Sequence, residues 1–108
     1  MFSSNFTTLT GNLGSDPELR YFQSGKAICN FSLAVSAGKN KPADWFDVQA
    51  WGASAERAAK LLRKGSRVVV IGSLKQERWQ DKQSGNQRSK VVVNAESIEV
   101  IACSRQAA

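Results

Sequence analysis

An all-β barrel carrying a single α-helix is the fold class this sequence predicts, and three observations predict it. Apolar and polar residues alternate with period two over Ala27–Ser36 and again over Asp44–Trp51, the pattern of half-buried strands. One segment only, Ala53–Lys64, has the composition of a helix. With 108 residues, the chain has room for one core and no second domain.

The elements follow in order. Phe6–Leu13 is Thr-rich with Phe and Leu, which suits a strand. Gly14-Ser15-Asp16-Pro17 is a turn cluster, and Glu18–Phe22 after it is short and compatible with a strand. Gln23-Ser24-Gly25-Lys26 reads as a tight turn. In the next strand Ala27, Cys29, Phe31, Leu33 and Val35 point one way. Asn30, Ser32, Ala34 and Ser36 point the other, and Ile28 alone breaks that polar face. Ala37–Ala43 is a loop. Asp44–Trp51 is a strand, and Ala53–Lys64 a helix that Ser54 is expected to cap and Gly65 to close. Leu61 and Leu62, with Ala55, Ala58 and Ala59, should form its apolar side. Ser66–Trp79 is a long strand, Gln80–Ser89 a polar hairpin tip and Lys90–Ile101 the last strand. Strand, strand, strand, helix, strand, strand is the order of the OB-fold, a five-stranded Greek-key barrel with its helix between strands 3 and 4. The domain is expected to span residues 1–103, with 104–108 a short flexible tail.

Charge narrows the function. There are 15 Lys and Arg against 9 Asp and Glu, net +6. Residues 1–56 hold four basic and five acidic residues, and residues 91–108 are also net −1. Residues 57–90 hold ten basic and two acidic residues, net +8. Such a positive middle suits a polyanion partner, and equally a merely soluble basic surface. Hydrophobic residues are 42% of the chain, enough for a core. No apolar run approaches the ~20 residues of a membrane helix, and the first ten residues have no signal-peptide character. A cytoplasmic protein with no membrane partner is expected. The sequence has no His, which removes Ser-His-Asp and Cys-His catalysis and His-ligated metals. Cys29 and Cys103 form no CxxC motif and read as reduced thiols, Cys29 in the core. No P-loop or GxGxxG is present, so neither an enzyme nor a cofactor is expected.

The informative segment is Asp44–Trp51. Phe46, Val48 and Ala50 share one face, which is core. Trp45, Asp47, Gln49 and Trp51 share the other. Asp47 and Gln49 would be unpartnered in a core, so both tryptophans are expected to be at least partly exposed. Trp79, beyond Lys75 and Arg78, also has little apolar company. The rings could cover the barrel ends or bury against another subunit. Three of them in a positively charged domain favour stacking on the bases of a single nucleic-acid strand while Lys and Arg hold its phosphates. Stacking tolerates any base, and duplex DNA hides its bases.

Four stretches carry a family resemblance: Leu9–Tyr21 (LTGNLGSDPELRY), Asn30–Val35 (NFSLAV), Leu62–Ser66 (LRKGS) and Val91–Asn94 (VVVN). In this order they resemble bacterial single-stranded DNA-binding proteins, and the likeness runs from about Asn5 to Ile101. It implies an OB-fold homotetramer that binds and protects single-stranded DNA in replication, recombination and repair. It also implies base stacking on Trp45, Trp51 (where many members have Phe) and Trp79, with basic contacts from Arg20, Arg63, Lys64, Lys75 and Arg78. Subunits in the family pair through the strand matched by Phe6–Leu13. That strand carries no Pro or charge to protect an open edge.

The chain also departs from the family pattern. Ser36–Lys39 stands where many members place a further Trp, and the loop after it is short. Asp47 stands at an often basic position. Phe46 replaces what is often a His near the subunit contacts, and reads equally as ordinary core. The family's acidic, partner-recruiting tail is not matched by Ser104–Ala108, so a binding core without that arm is expected. A primosome-type scaffold on the same fold, and a single-stranded RNA-binding or chaperone module, are the competing readings.

Overall fold

The computed structural model describes residues 4–102, so Cys103 and the tail expected at 104–108 lie outside the described residues. Six strands and one helix follow one another: β1 (Thr7–Leu13), β2 (Glu18–Tyr21), β3 (Ala27–Val35), β4 (Asp44–Trp51), α1 (Ala53–Leu61), β5 (Arg67–Gln80) and β6 (Gln87–Ala102). The extra strand is the short segment after Pro17. It does not add a sixth stave to the barrel. Leu13 pairs with Leu33 and Glu18 with Asn30, so β1 and β2 lie end to end along one edge of β3.

Closure is visible in the pairing. β1 pairs with β5 over Thr7–Asn12 and with β3 at Asn12 and Leu13. β3 pairs with β4, β4 runs parallel to β6 at Val48 and Gln49, and β6 pairs with β5. The ring β1-β3-β4-β6-β5 returns to β1, which is the five-stranded Greek-key barrel of the OB-fold. Where β1 crosses onto β3, a side chain on Gly11 would collide with the backbone of Ala34, so the close approach requires Gly.

Inside lie Leu13, Cys29, Phe31, Leu33, Val48, Ala50, Val68, Val70 and Val93. These are the residues the alternation of β3 and β4 assigns inward, joined by the first half of β5 and the middle of β6. Phe46 packs partly buried against this core. Burial pushes the Cys29 thiol above its ordinary pKa, so it stays protonated.

The helix differs from expectation at both ends. Gly52, not Ser54, is the N-cap, with φ +61 and no side-chain cap. A single residue must turn the chain from β4 into α1, and that conformation favours Gly. The helix ends at Leu61 rather than Lys64, because Leu62 is already extended. That extension drives Leu62 into the core, 1% exposed, and leaves Leu61 outside at 45%. Gly65 therefore closes no helix. It has φ +90 in the following turn and donates its N–H to the Leu13 carbonyl, tying that turn to β1.

Beyond the barrel, β5 and β6 continue as a two-stranded arm. β1 leaves β5 at Gly72 and β4 leaves β6 at Val93, while the β5–β6 ladder runs on to Gln80 and Gln87. Its tip is self-contained: the Asp81 N–H donates to the Asn86 carbonyl, and the Gly85 N–H to that of Asp81.

Candidate nucleic-acid interface

The outward face of β4 carries Trp45, Asp47, Gln49 and Trp51, as period two requires. Across β3 the same face continues through Ala34, Ser32, Asn30 and Ile28, their register partners. Six residues of strand separate the two tryptophans, about 20 Å. Trp45 is 61% exposed, and Trp51 is half-buried.

Each indole is positioned by a different neighbour. Gly14, at the end of β1, lies so close to the Trp45 ring that a methyl group there would collide with it. Trp51 stacks on Phe22, with ring centroids 5.9 Å apart and planes 16° from parallel. The Lys26 ammonium lies 4.9 Å from the Trp51 ring centroid, a cation–π contact. Alternation had not singled out Phe22 or Lys26, since both flank a turn. Ile28, paired in register with Trp51 and Arg20 on the outward face, is only 8% exposed.

The arm brings in the third indole. The β5–β6 register is unbroken from Gly72 to Gln80, so Lys75, Glu77 and Trp79 share a face with Val92, Lys90 and Arg88. Two side-chain links join that face to β4: Lys90 pairs with Asp47, and Gln49 Nε2 donates to Glu77 Oε2 at 3.3 Å. Trp79, 48% exposed, thus stands on the same side as Trp45 and Trp51. Between β2, β3, β4 and the arm lies an open groove of about 400 Å³ lined by Asp16, Arg20, Ser32, Asp47, Glu77 and Lys90, among others. Gln49 also lines it, and the Oε1 of Gln49 and the Oδ1 of its register partner Asn94 have no hydrogen-bond partner among the described residues.

The basic residues expected at the site divide. Lys75 lies on the tryptophan side of the arm and is exposed. Arg20 lines the groove, ion-paired with Glu18 at 2.5 Å. Arg78 lies on the opposite face of the arm from Trp79 and donates to Gln76 at 2.8 Å. Arg63 donates to the carbonyls of Ala59, Lys60 and Leu62 at the end of α1, so its guanidinium secures a helix terminus. The Lys64 N–H donates to Asp16 Oδ1 at 2.8 Å, which sets Lys64 beside the loop between β1 and β2. Exposed indoles spaced along one face, with cations between and beside them, suit a flexible polyanion that also offers flat rings. Carboxylates in the groove pair with two of those cations, Glu18 with Arg20 and Asp47 with Lys90, and temper the attraction.

Among the described residues no group of His, Cys, Asp and Glu could hold a metal, and no helix is long and apolar enough to cross a membrane. Comparison with known proteins gives a consistent picture. Residues 4–101 match the profile of the single-strand binding protein family. The chain is similar to Single-stranded DNA-binding protein 1 of Synechocystis sp., 42% identical over 106 residues that cover 95% of this chain and 88% of that protein. It is also similar to the Single-stranded DNA-binding protein of Thermosynechococcus vestitus, 40% identical over 102 residues that cover 94% and 85%. That of Treponema pallidum is 36% identical over 107 residues, covering 94% of this chain and 60% of its own length.

Proposed function

Because the chain belongs to the single-strand binding protein family, we propose that it binds and protects single-stranded DNA, with little sequence preference, during replication, recombination and repair. The observation that carries this reading is the alignment of Trp45, Trp51 and Trp79 on one side of the barrel and arm. Bases stack on the three indoles, and the strand crosses the groove between them. Lys75 and Arg20 hold phosphates on the tryptophan side. Arg78, Arg63 and Lys64 serve a strand that continues around the edge of the domain. The activity is binding, with no chemical step. Duplex DNA is excluded because its bases are already stacked.

The assembly we propose is a homotetramer working in the cytoplasm, on the nucleoid. Support comes from β1: its outer edge over Thr7–Gly11 has no strand partner among the described residues, and no charge or Pro protects it.

The test is a titration of intrinsic Trp fluorescence with poly-dT, poly-U and duplex DNA. Poly-dT should quench the emission and duplex DNA should not. Binding of poly-U as tight as that of poly-dT would favour an RNA module instead. Trp45→Ala, Trp51→Ala and Trp79→Ala should each cost about 1–3 kcal/mol, the range general to single-strand binders of this class.

A further inference from the structure

The turn between β2 and β3 carries an exposed aromatic ring and a cation that none of the roles above uses. The Phe22 N–H donates to the Lys26 carbonyl at 2.9 Å, extending the β2–β3 ladder by one pair. Continuing the alternation, Phe22 and Lys26 fall on the face of Arg20 and Ile28, which is the face of Trp51. Tyr21, on the opposite face, is engaged elsewhere: its hydroxyl donates to Glu56 Oε2 at 2.8 Å.

Phe22 is 51% exposed even though one face of its ring lies on Trp51. A single bare phenyl ring is far too small for a protein partner, which needs about 800 Å² a side. It is the right size for one base. Lys26 lies at the other end of the turn, its ammonium resting on the Trp51 ring. That contact is weak where solvent reaches it, so a phosphate can draw the flexible side chain away.

We infer that Phe22 and Lys26 form a further nucleotide subsite, in which a base stacks on the outer face of Phe22 and Lys26 takes the adjoining phosphate. The subsite rests on the single-strand reading above. It lengthens the track at the Trp51 end, where Trp51 and Phe22 make a continuous stack for the strand to join.

The test compares Phe22→Leu, Phe22→Tyr and Lys26→Gln with the unmodified chain, by binding of a dT oligonucleotide across a salt series. Leu keeps an apolar buttress for Trp51 but has no π-face. Phe22→Leu should lose about fivefold or more in affinity, and Phe22→Tyr should retain it. Lys26→Gln should make the slope of log K against log salt shallower by about 0.7. Photocrosslinking to an iodouracil-substituted strand should attach Phe22. The subsite is overturned if Phe22→Leu binds as the unmodified chain does, or if Lys26→Gln leaves the slope unchanged. Either result leaves the single-strand reading standing. Failure of the unmodified chain to bind dT at all would remove both.

Discussion

Single atoms decide how the indoles are presented. Gly14 has no Cβ, and the Trp45 ring occupies the space a Cβ would need. Gly14→Ala should therefore displace the indole without touching the core. It should weaken single-strand binding in the direction of Trp45→Ala, by no more than the ~1–3 kcal/mol of one stacking site. Unchanged affinity and fluorescence in Gly14→Ala would show that the ring has other room. Cys29 gives a second prediction at this scale. Its thiol is wholly buried and its pKa raised by that burial. Alkylation of Cys29 at neutral pH should be slow in the folded protein and fast in denaturant, as mass spectrometry of the peptide containing it would report.

At the scale of elements, Asp47 is the informative partner. It holds Lys90 in an ion pair between β4 and the arm. Asp47→Asn releases that ammonium to a phosphate and should steepen the salt slope by about 0.7. A slope equal to that of the unmodified chain would mean that Lys90 never reaches the strand. Asp81 gives a pH prediction. A backbone N–H donated by Gln83 is the main force holding its carboxyl below the usual value. A depressed carboxylate pKa stabilises the turn above the unfolded value, and the gain disappears as pH falls through the folded one. The tip should thus loosen as pH falls below the ordinary aspartate range, which NMR shifts of residues 81–86 would follow.

This is also the scale at which the sequence was most and least legible. Trp45, Asp47, Gln49 and Trp51 could be assigned to an outward face because a strand alternates within itself. The helix ends could not be read in the same way. A Gly at Gly52 and an extended Leu62 end the helix through backbone angles, and local composition says nothing about those. Resemblance assigns Arg63 to the site, and nothing in its local sequence shows that its Nη1 also donates to helix carbonyls. Phe22 meets Trp51 only because two strands and a turn bring them together.

The whole molecule is a ring of five staves filled by apolar side chains, with α1 covering one end through Ala55 and Ala58, joined by the extended Leu62 that follows it. Leu62 seals that junction, so Leu62→Ala should cost roughly 2–5 kcal/mol in chemical denaturation. A cost below ~1 kcal/mol would show that the helix is a mere lid. The open edge of β1 bears on assembly. Light scattering should return four times the chain mass, and a monomer at micromolar concentration that still bound single strands would refute the tetramer.

The arm also has a consequence in time. A two-stranded ribbon with no third strand beside it is marginal in water. Here side-chain struts tie it back to the barrel, Lys90 to Asp47 and Gln49 to Glu77 among them. Its amides should exchange with solvent deuterium by local opening, far faster than those of Val68–Val70 in the barrel wall. A bound strand stacked on Trp79 would close the ribbon against the groove and slow that exchange. The arm would then act as a clock for occupancy: its exchange rate would report how often the strand lifts away, even where equilibrium affinity is too tight to resolve.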